Sequence, residues 1–132
     1  MIPFAPQVVI QTFPEDYLRH NPAEINCGNC MRWAYVCYRL FDRIQLWTFG
    51  CHAFVQHDGL FYDSERLEGV KSWRDLPATR IPYSNCGCKY CVSALPCTLQ
   101  EFQTFWDATF HHPDWQRYDQ LIQAYLAGTR YP

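Results

Sequence analysis

Asp58-Gly59, set between two runs of β-forming residues, constrains this chain more than any other pair of residues in it. Asp-Gly favours a two-residue hairpin turn, because the central residues of that turn need positive φ. Such a turn pairs His57 with Leu60, and the register follows: Phe54 falls opposite Asp63 and His52 opposite Glu65. Side chains alternate across a strand. One face therefore carries His52, Phe54, Gln56, Phe61, Asp63 and Glu65, and the other carries Ala53, Val55, Leu60 and Tyr62. The second set is apolar and is the expected core face. His52 and Asp63 become diagonal neighbours within reach of each other, whereas a three-residue loop would part them.

Upstream of the hairpin, Asn29 is a good N-cap for a helix over residues 30–43. Cys30, Trp33, Ala34, Cys37, Leu40 and Phe41 recur along it at three- and four-residue steps, one inward stripe with Cys30 in the first turn. Ile44 to Phe49 reads as a strand ending at Gly50. Residues 1–13 read as an extended arm with a strand at Val8-Val9-Ile10, and Pro14 to His20 as a short helix broken by Asn21-Pro22. Residues 66–85 read as irregular, with a turn of helix near Ser72 to Leu76. Thr98 and Glu101 have capping-box spacing ahead of a stripe of Leu99, Phe102, Phe105 and Trp106. A last helix starts at Pro113-Asp114, turns Trp115, Tyr118, Ile122, Tyr125 and Leu126 inward, and is capped by Gly128. The expectation is one α+β domain over residues 1–132: a cysteine-bearing helix on a small antiparallel sheet, followed by C-terminal helices.

Composition narrows the function. A chain of 132 residues with 5 Trp, 9 Tyr and 9 Phe can bury an aromatic core. Net charge is −2, with Lys and Arg scattered and no basic stripe, which argues against nucleic acid as the main partner. No apolar run approaches the roughly 20 residues of a membrane span, and Met1-Ile2-Pro3-Phe4-Ala5-Pro6 lacks the charge pattern of a secretory signal. A cytoplasmic protein without membrane or nucleic-acid partners is expected. In that compartment its 8 cysteines are metal ligands, catalytic groups or small buried hydrophobes more often than disulfides.

Three of these residues can carry chemistry together. A thiol attacks as its thiolate, and a helix N-terminus with a nearby imidazolium favours that form. Cys30 supplies the thiol, His52 the imidazolium and proton shuttle, and Asp63 the carboxylate that orients the ring. The Cys30 N–H with the amide of Asn26 or Asn29 is a candidate oxyanion site, and Glu65 is the alternative orienting carboxylate.

Gly28-Asn29-Cys30, Cys51-His52-Ala53-Phe54-Val55 and Asp58-Gly59-Leu60-Phe61-Tyr62-Asp63 resemble the Cys, His and Asp segments of transglutaminase-like and papain-like cysteine hydrolases. Phe54 stands where that family has Trp, and Ser64-Glu65 follows where it often has Pro. The resemblance covers residues 26–65 and implies a papain-like core with thioester chemistry on a protein or peptide substrate, as a peptidase, amidase, deamidase or acyl transferase.

The remaining cysteines suggest metal. Cys86, Cys88, Cys91 and Cys97 offer four thiolates over a compact knuckle at 86–97, enough for a tetrahedral structural zinc. A competing site joins two C-x-x-C pairs, Cys27/Cys30 and Cys88/Cys91, and consumes the nucleophile. That alternative is a non-catalytic, zinc-stabilised protein-binding or inhibitor module. No phosphate loop, dinucleotide fingerprint or H-E-x-x-H occurs, so no organic cofactor is expected. Phe54 also replaces the Glu of an H-x-E deaminase site. His57 and His111-His112 read as surface residues.

Overall fold

In the computed structural model, the residues described are 2–12, 29–50, 52–80, 93–110 and 114–128. They form α1 (Gln7–Thr12), α2 (Cys30–Leu40), β1 (Gln45–Phe49), β2 (His52–His57), β3 (Leu60–Asp63), β4 (Arg66–Val70), a 3-10 turn (Trp73–Asp75), α3 (Pro77–Arg80), β5 (Leu95–Cys97), α4 (Leu99–Phe110) and α5 (Trp115–Leu126). The five strands make one antiparallel sheet in the order β4-β3-β2-β1-β5. The fold is α+β.

The expected hairpin is present. Asp58 (φ 48) and Gly59 (φ 84) make the turn, and His57 pairs with Leu60, Gln56 with Phe61 and Val55 with Tyr62. Its apolar face lies under α2: Ala53, Val55 and Tyr62 join Trp33, Ala34, Val36, Cys37 and Leu40 in the main core. Phe102 and Trp106 of α4 and Tyr118, Leu121 and Ile122 of α5 complete that core. Each large apolar side chain fully buried here contributes about 1.5–3 kcal/mol.

The other face is buried as well, which the alternation argument did not anticipate. Phe49, Phe54 and Phe61 pack with Leu76 and Ala94 in a second cluster, flanked by Trp47, Val70 and Trp73. The 3-10 turn carries Trp73 onto Phe49, with ring centroids 5.3 Å apart, and Ser72 caps the turn through the Arg74 N–H. A sheet covered on both sides loses the polar-out pattern of a half-exposed one.

Several elements differ from expectation. Val8-Val9-Ile10 lies in α1 rather than a strand: Ala5 and Pro6 carbonyls accept the N–H groups of Val8 and Val9, and Val9 is fully buried. Core contact outweighs the small β preference of valine. Helix α2 stops at Leu40, because Phe41 is extended and bridges Ile2, whose N–H donates to the Leu40 carbonyl. Residues 66–70 are not irregular but form β4, and Cys97 pairs with Leu46 in the short strand β5. On α5, Leu121 turns inward and Leu126 is exposed. The Thr98/Glu101 capping box and the Gly128 cap (φ 76) form as expected. Residues 14–20 and His111-His112 lie outside the described residues. No helix among the described residues is long and apolar enough to cross a membrane.

Candidate functional site

The site forms where the start of α2 meets the start of β2. Three elements bring three side chains there: Cys30 from the first turn of α2, His52 as the first residue of β2, and Asp63 as the last residue of β3. All are withdrawn from solvent: Cys30 is 2 % exposed, His52 4 % and Asp63 0 %.

His52 Nε2 lies 3.1 Å from Asp63 Oδ2. The other oxygen of Asp63 accepts the Glu65 N–H at 2.9 Å, so the carboxylate is fixed from both sides. Strand β3 ends at Asp63, and Ser64-Glu65 turn the chain into β4, where Asp63 pairs with Arg66. Glu65 is therefore taken off the strand before it can stand opposite His52, and it holds Asp63 through its backbone.

The His52 ring stacks on Phe54, with centroids 5.7 Å apart and planes 22° from parallel. Its Nδ1 is buried and has no partner at full hydrogen-bond geometry. Because Nε2 is engaged by Asp63, Nδ1 is the ring nitrogen that the carboxylate leaves unengaged. Burial alone would lower the His52 pKa. The Asp63 hydrogen bond, then hydrogen-bonding and charge interactions with Cys30, outweigh it and push the pKa up to about 9. The direction favours the imidazolium, whose charge faces the Asp63 carboxylate.

A further contact was not visible in the sequence. The Ala53 N–H donates to Cys30 Sγ at 3.3 Å. The β2–β3 pairing ends at Val55↔Tyr62 and β3 stops at Asp63, so Ala53 lies past the ladder on that side. The sulfur accepts a strand N–H that the neighbouring strand does not reach. Only where β3 turns away decides this, and neither side chain signals it.

Of the oxyanion candidates, Asn29 is the N-cap residue of α2 but does not cap it with its side chain. Its Oδ1 accepts from Arg32 Nη1 at 2.9 Å, while its backbone carbonyl takes the N–H groups of Arg32 and Trp33. Asn26 lies outside the described residues, as do Cys27, Cys86, Cys88 and Cys91. Cys97, the remaining candidate zinc ligand, lies on β5 and donates to the Leu46 carbonyl with S···O at 3.7 Å. Burial, then the Glu101 charge, push its thiol up to about 11. Among the described residues no group of three or more His, Cys, Asp or Glu is arranged to hold a metal ion, and Cys30, Cys37 and Cys97 form no disulfide. His57 is partly covered rather than free on the surface, stacked on Phe4 with centroids 4.3 Å apart.

Chemically, the arrangement can hold a thiolate beside an imidazolium at a helix N-terminus, with a carboxylate behind the ring. No protein-family model, no curated protein and no solved structure matches this chain significantly.

Proposed function

We propose that the protein is a cysteine-nucleophile hydrolase or acyl transferase of the transglutaminase-like and papain-like kind, acting on an amide or thioester of a protein or peptide. The observation that carries this reading is the His52 Nε2–Asp63 Oδ2 contact of 3.1 Å, which leaves Nδ1 as the ring nitrogen available to Cys30. A buried histidine held by a carboxylate on one ring nitrogen and interacting with a thiol is the arrangement that activates a cysteine nucleophile.

In this reading Cys30 Sγ, as the thiolate, attacks the acyl carbon. A carbon–sulfur bond forms, and the carbonyl π pair moves to oxygen. The His52 imidazolium gives its Nδ1 proton to the leaving group as the old bond breaks, which leaves a thioester and a neutral imidazole. Water, or an acceptor amine, then adds to the thioester while His52 takes the proton back, and Cys30 leaves as the thiolate. Asp63 stays ionised throughout, holding the Nε2–H tautomer and answering the ring's charge. Burial lowers the dielectric around the pair and so strengthens each of these interactions.

The test is thiol alkylation with iodoacetamide at pH 7, read residue by residue by peptide mass spectrometry. Cys30 should react at least about 10-fold faster than Cys37 and Cys97, and His52→Ala should remove that advantage, as expected for a thiolate held by its imidazolium. Uniform slow labelling of the cysteines would sink the reading.

A further inference from the structure

We infer that the Ala53 backbone N–H is an oxyanion donor of this site, holding the thiolate in the resting protein and passing to the acyl oxygen as the nucleophile attacks. The inference rests on the cysteine-nucleophile reading and adds a catalytic group to it.

Three observations support it. The N–H lies 3.3 Å from Sγ, so it is aimed at the atom that becomes bonded to the acyl carbon. It is released from the sheet on that side, since the β2–β3 pairing ends at Val55↔Tyr62. It also precedes no flexible connection: Ala53 sits inside β2, paired with Thr48 of β1 and fully buried against α2. A donor fixed in a strand needs no reorganisation when charge develops, which is the condition for strong transition-state stabilisation.

The chemistry then follows from where the charge goes. When Sγ is the thiolate, the N–H has a charged acceptor. When the C–S bond forms, sulfur becomes a neutral thioether-type acceptor, which is weak. The charge moves to an oxygen two bonds away from the sulfur, within reach of the same N–H. On collapse, the C=O bond is restored, the leaving group departs with the His52 proton, and the thioester remains. Addition of water repeats the sequence in reverse order and returns the hydrogen bond to the sulfur. Asn29, whose Oδ1 is held by Arg32, is not required for this role.

The experiment replaces the Ala53 amide with an ester, by incorporating lactic acid at position 53 of the full chain. This deletes the N–H and keeps the methyl side chain. Two probes are compared on Cys30: iodoacetamide, whose displacement generates no oxyanion, and p-nitrophenyl acetate, whose acyl transfer does. Acylation should fall about 100-fold, the loss typical of removing one oxyanion donor, while alkylation changes by less than about 10-fold. An ester at Val55, a residue within the ladder on both sides, serves as the control for general weakening of β2. It should lower the melting temperature without separating the two rates. Parallel loss of both rates in the Ala53 ester, or no loss in either, overturns the inference and leaves the nucleophile assignment standing. Failure of wild-type Cys30 to be acylated at all overturns both.

Discussion

His52 and Asp63 meet across the β2–β3 hairpin, Nε2 to Oδ2 at 3.1 Å, with neither side chain open to solvent. Asp63 accepts from the ring on one oxygen and from the Glu65 N–H on the other. A carboxylate bound in this way has little freedom to swing, so the imidazole plane is set by the sheet rather than by the substrate. The stack on Phe54 constrains the same plane from a third direction.

Removing the carboxylate should therefore cost both stability and ring charge. Asp63→Ala leaves a buried imidazole without its counter-charge, and a loss of about 3–5 kcal/mol at pH 7 is expected from urea unfolding. Asp63→Asn keeps the shape and should cost less, yet the His52 pKa should fall below its value of about 9 in an NMR titration. An unchanged His52 titration in Asp63→Asn would show that the carboxylate is not what holds the proton.

The pH dependence has a definite sign. The His52 pKa in the folded state, about 9, lies above the roughly 6.5 of an unfolded histidine. Its contribution to stability is then fully present below about pH 6.5 and is lost as pH rises through about 9. The stability gap between wild type and His52→Gln should narrow across that window, measured by urea titration at several pH values. Acyl transfer should likewise fall away on the alkaline side near pH 9, where the ring no longer has a proton to give. A gap that widens with pH would contradict the assignment.

How much of this was legible in the sequence depended on local signals. Asp58-Gly59 set the hairpin register, and with it the approach of His52 to Asp63, because a two-residue turn leaves one pairing. Thr98 and Glu101 announced the start of α4 in the same way. The strand β5 was not legible, since Leu95-Pro96-Cys97 has no alternation and takes its structure from pairing with β1. The same holds for α1, where Val8 and Val9 are β-formers placed in a helix by burial. Within the site, side-chain chemistry could be read and backbone chemistry could not. The Ala53 N–H depends on where β3 ends, and Glu65 holds Asp63 through its N–H.

The capping box gives a prediction remote from the site. Thr98 Oγ1 accepts the Glu101 N–H at 3.1 Å, and Glu101 Oε1 accepts the Thr98 N–H at 2.8 Å. Thr98→Ala should destabilise by about 1 kcal/mol while leaving Cys30 alkylation unchanged. The hydrogen bonds from Thr98 hold the Glu101 carboxyl below its ordinary range. This contribution is present above the unfolded glutamate pKa and is lost as pH falls through the folded one. Thermal scans of wild type and Glu101→Gln should therefore converge in acid; a constant difference would argue against the bond from the Thr98 N–H to the Glu101 carboxylate.

Two glycines separate backbone strain from steric conflict. Gly59 (φ 84) closes the hairpin, and a Cβ there would meet nothing within 4 Å. Gly69 has the same φ of 84, but its Cβ would lie 2.7 Å from two carbons of the Tyr62 ring. Gly69 sits in the irregular stretch where β4 pairs Val70 with Phe61 and Arg66 with Asp63, leaving Leu67, Glu68 and Gly69 against the single residue Tyr62. Gly59→Ala should thus cost the strain of a left-handed residue alone, about 1–2 kcal/mol. Gly69→Ala adds an overlap that Tyr62 can relieve only by moving, and should cost about 1–3 kcal/mol more. Because Tyr62 adjoins Asp63, the second variant should also slow Cys30 alkylation, whereas Gly59→Ala should not. In a Tyr62→Ala background the two glycine substitutions should cost nearly the same in urea unfolding. Persistence of the larger Gly69 penalty there would place its origin in the β4 backbone instead of the tyrosine ring.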